Sequence, residues 1–177
     1  MLSLLMFRPN GVFAADEFEV KSVSTQLNDT VFFLNAVYEI KLPDYIRSAF
    51  DQGFEIPLAV DLEVFADRML WLDKRVVYFR QQYRLQYHSI LDTVSVLDVN
   101  AGNRQYFTSL NQALSHLSVM LNYPMLDLNT LDKSQNYWAR LRFGIDTDAL
   151  PIPLKSSSLW QNDWELVSDW YEWEVVP

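Results

Sequence analysis

The chain has 177 residues, 50% of them hydrophobic and 15% aromatic, which suits one domain with a sizeable core rather than a disordered segment. Its 14 Lys and Arg stand against 23 Asp and Glu, and the resulting net charge of -9 repels phosphate backbones and anionic lipid, which argues against a nucleic-acid partner. No cysteine is present, so a disulfide framework, a thiol nucleophile and a thiolate metal site are all excluded.

The start, MLSLLMFRPNGVFAADEF, carries a short apolar run from Leu2 to Phe7, then Arg8-Pro9, then Val12-Phe13-Ala14-Ala15. Small residues at the third and first positions before a cut suit cleavage after Ala14. Residues 1–14 therefore read as a shortened signal peptide whose start is placed too far downstream, with a merely apolar N-terminus as the alternative, and residues 15–177 as one exported, periplasmic β-sandwich domain. No apolar stretch approaches the roughly 18 residues a spanning helix needs, so no transmembrane segment is expected in the mature chain.

From Glu17 to Leu42 two extended segments flank the turn pair Asn28-Asp29, and in the second Phe32, Leu34, Ala36, Tyr38, Ile40 and Leu42 share one face at period 2. Pro43-Asp44 opens a short helix with Ile46, Ala49 and Phe50 on one stripe, and Gly53 is placed to take the left-handed position after it. The next strand sets Ile56, Leu58, Val60, Leu62 and Val64 on one face and Glu55, Asp61 and Glu63 on the other. Pro57 removes a ladder donor and places the start of this strand at an edge or where the missing N–H faces solvent. A loop at 68–75, containing Trp71, turns the chain into a second strand at 76–87. With its centre near Trp71 and Leu72, this hairpin puts Glu63 opposite Arg80 and Asp61 opposite Gln82, on an exposed face.

In that second strand Val77, Phe79, Tyr83, Leu85 and Tyr87 point one way and Tyr78, Arg80, Gln82, Arg84, Gln86 and His88 the other. Aromatic and basic residues thus part company, so a platform for stacked bases is not built. His88, at the strand end and without a partner motif, reads as an exposed imidazole beside a turn. Strands at 93–99 and 104–107 follow, joined by the turn NAGN. Ser109 and Gln112 then have the form of a capping box, opening a longer helix over 109–122 that stops at Pro124 and carries His116 among its polar positions. The strand at 137–145 alternates Tyr137, Ala139, Leu141, Phe143 and Ile145 against Trp138, Arg140 and Arg142. LPIPL at 150–154 reads as extended, and Trp164, Leu166, Ser168 and Trp170 as one face of a final strand.

Four glycines, at 11, 53, 102 and 144, permit neither a P-loop nor a dinucleotide fingerprint. His88 and His116 form no zinc helix, and Ser89 beside His88 lacks a nucleophile elbow. Asp146 and Asp148 offer too few oxygens for calcium and read as a solvated turn. No catalytic residue, cofactor or metal is therefore assigned. The candidate surface is the aromatic tail, Trp164, Trp170, Tyr171 and Trp173, whose exposed members would contact a protein or a glycan.

YEIKLPDYIRSAFDQGFEIPLAVDLEV, the Trp71 loop, YRLQYHSI, SLNQALSHL, YWARLRFGIDTDALPIPL and DWELVSDW, in this order, resemble the DUF4390 family of proteobacterial exported proteins of unknown function, also described as proline-rich signal peptide proteins. The resemblance implies export, brings no activity and no catalytic residues, and places members beside membrane sensor kinases. The expected fold is a mainly antiparallel β-sandwich with two short helices, with an α+β layer as the alternative. The expected role is a non-enzymatic interaction or accessory module with an envelope protein partner. A small-ligand or glycan-binding module is the alternative, and a hydrolase using His88 a third.

Overall fold

The computed structural model describes residues 17–68, 73–132, 134–156 and 164–176. The proposed leader, the Trp71 end of the hairpin loop and Trp160 lie outside the described residues. The fold is a sandwich of two antiparallel sheets. The smaller has the order β1-β2-β7, from β1 (Phe18–Asn28), β2 (Val31–Ile40) and β7 (Val119–Asp127). The larger has the order β6-β5-β4-β3-β8-β9, from β3 (Ile56–Ala66), β4 (Lys74–His88), β5 (Thr93–Asp98), β6 (Asn103–Phe107), β8 (Tyr137–Ile145) and β9 (Tyr171–Val175). Among the described residues three short α-helices lie between the strands: α1 (Asp44–Asp51), α2 (Leu110–Leu117) and α3 (Ile152–Ser156).

The alternation in the sequence is what closes the two sheets on each other. Phe32, Leu34, Ala36 and Tyr38 of β2 are all buried, as are Tyr137, Ala139, Leu141, Phe143 and Ile145 of β8. Phe143 lies between the layers, 5.5 Å from the Phe18 ring and 5.1 Å from the stacked Tyr38 ring. Truncating such a ring to Ala typically costs about 3–5 kcal/mol. Helix α1 buries Ile46, Ala49 and Phe50, and ends where Gly53, at φ 85°, donates its N–H to the Phe50 carbonyl.

At Pro57 the edge alternative fails, because β3 pairs with both β4 and β8; its β8 partners begin only at Leu58, so the missing donor costs the second ladder nothing. Three further local expectations are corrected. The register of β3 with β4 is two residues from the expected one, pairing Asp61 with Arg80 and Glu63 with Tyr78, which leaves every side chain on its expected face. The helix expected over 109–122 ends at Leu117. Ser118 donates its N–H and hydroxyl back to Leu114 O, each at 2.8 Å, and gives its own carbonyl to Tyr38 N, handing the chain over to β7. Pro124 sits within β7, the edge strand of the smaller sheet, opposite Phe33 where the register with β2 shifts. LPIPL is not extended throughout. Pro151 precedes α3 and Pro153 stands in its first turn, where no intrahelical donor is required, while Leu154 and Lys155 donate to Pro151 O and Leu154 is fully buried.

The tail also differs from the expected strand. Only Tyr171–Val175 forms β9, and the 164–170 segment pairs with β8 by one isolated β-bridge, Gly144 to Val167. There the Ser168 hydroxyl accepts the Phe143 N–H at 3.1 Å and donates to Asp169 O, which breaks the alternation before Trp170. The close approach requires a bare backbone at Gly144, where a Cβ would collide with Leu166 O and stand 2.7 Å from Val167 Cα. Gly144→Ala is therefore expected to cost about 1–3 kcal/mol through overpacking in denaturant unfolding. Gly102→Ala, at φ 68° with open space around it, is expected to cost about 1 kcal/mol from left-handed strain alone. Equal costs would show that the strap does not lie against Gly144.

Candidate functional site

Two polar constellations follow from this topology, one on the outer face of the large sheet and one between the sheets. On the outer face, the central position of β3 buries Asp61 and Glu63 at 7% and 5% exposure, against the expectation of an exposed row. Flanking strands supply the counter-charges. Glu63 receives Arg75 at 2.5 Å and Arg140 at 2.7 Å, and Asp61 receives Arg142 at 3.0 Å and the Tyr78 hydroxyl at 3.1 Å, with Arg80 at 3.6 Å. Arg80 reaches further to Asp146 at 3.1 Å, which also accepts from Gln82 at 2.7 Å. Asp146 is therefore a buried partner of the sheet, not a solvated turn residue, and Asp148 stays exposed. Among the described residues no group of three or more metal-ligating side chains comes together.

The tail aromatics go to three different places. Trp164 is buried in the core at 2% exposure, with its ring edge against Tyr45 at 5.7 Å. Tyr171 and Trp173 stand opposite Leu141 and Ala139 on the inner face of β9 and pack against the core as its margin. Trp170 alone turns outward, stacked over Arg140 at 4.2 Å and Arg142 at 4.4 Å. A contact surface built from the tail therefore reduces to Trp170 and the arginines beneath it.

His88 is half-buried, and its Nε2 lies 2.8 Å from Ser95 Oγ, which also accepts from Arg104 at 2.9 Å. Ser95 has no exposed surface, so this hydroxyl is held as a structural bridge between β4, β5 and β6 rather than presented as a nucleophile. The capping box closes in altered form: Ser109 Oγ accepts from Gln112 N, and Gln112 Oε1 accepts from Thr108 instead of Ser109. His116 of α2 is exposed and lies against Phe107 at 5.2 Å.

Between the sheets, sequence reasoning missed a cavity of about 220 Å³. Its floor is formed by Tyr38, Val96, Leu117 and Met120, all buried, and its rim by exposed residues including Gln105, His116 and Leu121. Tyr83 and Asp98, paired across β4 and β5, form one wall and Tyr123 of β7 another. The Tyr38 hydroxyl donates to Met120 Sδ at 3.8 Å. Asp98 Oδ1 accepts from Gln81 at 2.6 Å and from Ala101 N at 2.9 Å, which fixes the carboxylate. Burial first and the Asp98 charge second push the Tyr123 phenol up to about 12, and the same two causes raise Tyr83. These rings stay neutral while sharing a site of negative potential. The available signal was the polar break in the inner row of β4 at Gln81, followed in the next strand by Asp98.

The sequence matches, over residues 15–174, the family described as "Domain of unknown function (DUF4390)". The chain belongs to the DUF4390 family. No curated protein and no solved structure matches it. The description carries no activity, so chemistry in this DUF4390 chain has to be argued from its own two polar constellations.

The buried pairing on the outer face is testable through acid stability. Burial pushes the Glu63 carboxyl up, but hydrogen bonds from Arg75 and Arg140 outweigh it and hold the carboxyl below the ordinary 4.5. A lowered folded value means that this stabilisation is complete above about pH 4.5 and is lost as pH falls through the folded value. Glu63→Gln is expected to cost about 1–3 kcal/mol at neutral pH, since two guanidiniums lose their charged partner. It should also flatten the fall in stability measured by urea unfolding below pH 4.5. A cost below about 0.5 kcal/mol with an unchanged acid limb would show that Glu63 is solvated.

Proposed function

We propose that this DUF4390 chain is an exported, non-enzymatic accessory module of the bacterial envelope that works by binding a small ligand between its sheets. The observation that carries the reading is the cavity itself, whose walls come from both sheets and from α2 and whose floor is packed while its rim is open. Fixed polar groups among apolar and aromatic side chains on a concave wall are the ordinary make-up of a small-molecule site. Its volume lies below the roughly 300 Å³ at which drug-sized pockets begin, which points to a metabolite of modest size. The non-enzymatic part rests on Ser95, enclosed and hydrogen-bonded beside His88. A membrane sensor kinase is the envelope partner to which such a module would report occupancy.

Direct protein contact is a second reading, favoured by one observation: Trp170 lies on the outer face over two arginines, in the manner of an aromatic anchor. Export rests on the small residues that suit a cut after Ala14. With an upstream start restored, mass spectrometry of the mature protein should give an N-terminus at Ala15 in a periplasmic fraction. Intact Met1 in cytosolic protein would refute export.

Ligand binding is tested by screening a library of small polar metabolites against the labelled protein in heteronuclear NMR spectra. Shifts are expected to cluster on Tyr83, Val96, Asp98, Leu117 and Tyr123. Gln105→Trp, which fills the rim from an exposed position, should abolish them with little loss of stability. Hits that map to the Trp170 face, or that survive Gln105→Trp, would transfer the function to the outer surface.

A further inference from the structure

Resting on the ligand-binding reading, we infer that the cavity selects a small organic cation, a primary or quaternary ammonium, held by the Asp98 carboxylate and the faces of the surrounding tyrosines. The wall contains one carboxylate, Asp98, and no lysine or arginine. Among the described residues Asp98 makes no ion pair, in contrast to Asp61, Glu63 and Asp146, each of which has an arginine. Both hydrogen bonds that hold Asp98 arrive at Oδ1, from Gln81 and from Ala101 N, so the carboxylate is oriented without being neutralised.

An oriented carboxylate with no counter-ion, set in a partly apolar wall, attracts a cation more strongly than one free in water, because the local dielectric is lower. Three phenol rings, Tyr38, Tyr83 and Tyr123, line the same space, and an aromatic face is attractive to an ammonium within about 6 Å of its centroid. Aromatic walls with an acidic group suit alkylammonium ligands specifically, since the methyl or methylene surface contacts the rings while the charge meets the carboxylate. The raised phenols of Tyr83 and Tyr123 agree with this, since Asp98 makes the site unfavourable for further negative charge. A volume of 220 Å³ equals about seven waters at roughly 30 Å³ each, enough for a compact cation of several heavy atoms and too little for a sugar chain.

The test compares ligands of matched shape and different charge on the intact mature chain. Choline and n-butylammonium are titrated beside 3,3-dimethylbutan-1-ol, the neutral isostere of choline, and beside butyrate, by calorimetry and by NMR shift mapping. Choline and n-butylammonium should bind with shifts on Tyr83, Asp98 and Tyr123, at least about tenfold more tightly than the neutral isostere, with butyrate weakest. Asp98→Asn, which keeps an acceptor for Gln81 and Ala101, should bring choline down to the level of its isostere. Tyr123→Phe should leave affinity nearly unchanged, whereas Tyr123→Leu should lower it several-fold. Equal binding of choline and its isostere would overturn the cation assignment and leave the ligand-binding reading standing, as would tighter binding of butyrate. If the metabolite screen also fails to shift the cavity residues, both readings fall. The isostere comparison on the unmodified protein decides the matter even where Asp98→Asn disturbs the turn after β5.

Discussion

The arrangement depends on one constraint: β3 is covered on both faces and yet carries two carboxylates near its middle. Its inner row, Ile56, Leu58, Val60, Leu62 and Val64, is fully enclosed by the sandwich core. Its outer row would leave Asp61 and Glu63 as buried, unpaired charges, a cost of several kcal/mol each, unless neighbouring strands deliver cations at the right register. They do so from both sides, with Arg75 and Arg80 from β4 and Arg140 and Arg142 from β8. A slip of one residue on either flank would turn those guanidiniums to the inner face, so the charges help to specify pairing as the apolar row does. Trp170 and the Phe65–Trp138 stack, 4.4 Å between centroids, then shield the pairs from water.

The same topology explains why a cavity exists at all. Going along β4 toward its N-terminus, the inner row passes from Leu85 and Tyr83 to Gln81, and β5 places Asp98 opposite Tyr83. Polar groups there cannot be packed dry, so Gln81 and Asp98 bond to each other and the sheets part around them. On the facing sheet β7 pairs irregularly with β2, its register shifting near Phe32 and again near Leu34, which moves Tyr123 and Met120 out of a flush contact. Helix α2 covers the gap only partly, through Ala113 and Leu117.

Faces were legible in the sequence because period 2 is a local property: the inner rows of β2, β3 and β8 could be read from their own residues. What covers a face is not local. Asp61 and Glu63 read as exposed because nothing within the hairpin shows that β8, far along the chain, brings Arg140 and Arg142 to the other side. The edge alternative at Pro57 fails for the same reason, since whether a neighbour strand stands beside β3 is decided by β8. Trp164, Trp170 and Trp173 form one cluster in the sequence and three locations in space, because Ser168 breaks the alternation with a side-chain hydrogen bond. Beyond the polar break at Gln81 the cavity left no local trace, as Tyr38, Tyr83, Asp98 and Tyr123 come from four strands and only their assembly makes a site.

Charge compensation also decides which of the two polar constellations is available to a ligand. On the outer face four guanidiniums share three carboxylates, and Trp170 stacks on two of those guanidiniums, so an incoming partner would have to displace contacts already made. Desolvating such a lattice costs about as much as new pairs return, which makes it a better structural element than a binding surface. Asp98 differs because its hydrogen bonds hold it in place without cancelling its charge. The free energy withheld there by leaving a carboxylate without a cation is recovered only when an occupant supplies one. Among the described residues the fold pairs its buried carboxylates, Asp61, Glu63 and Asp146, with arginine, and leaves Asp98 facing an open cavity between tyrosines.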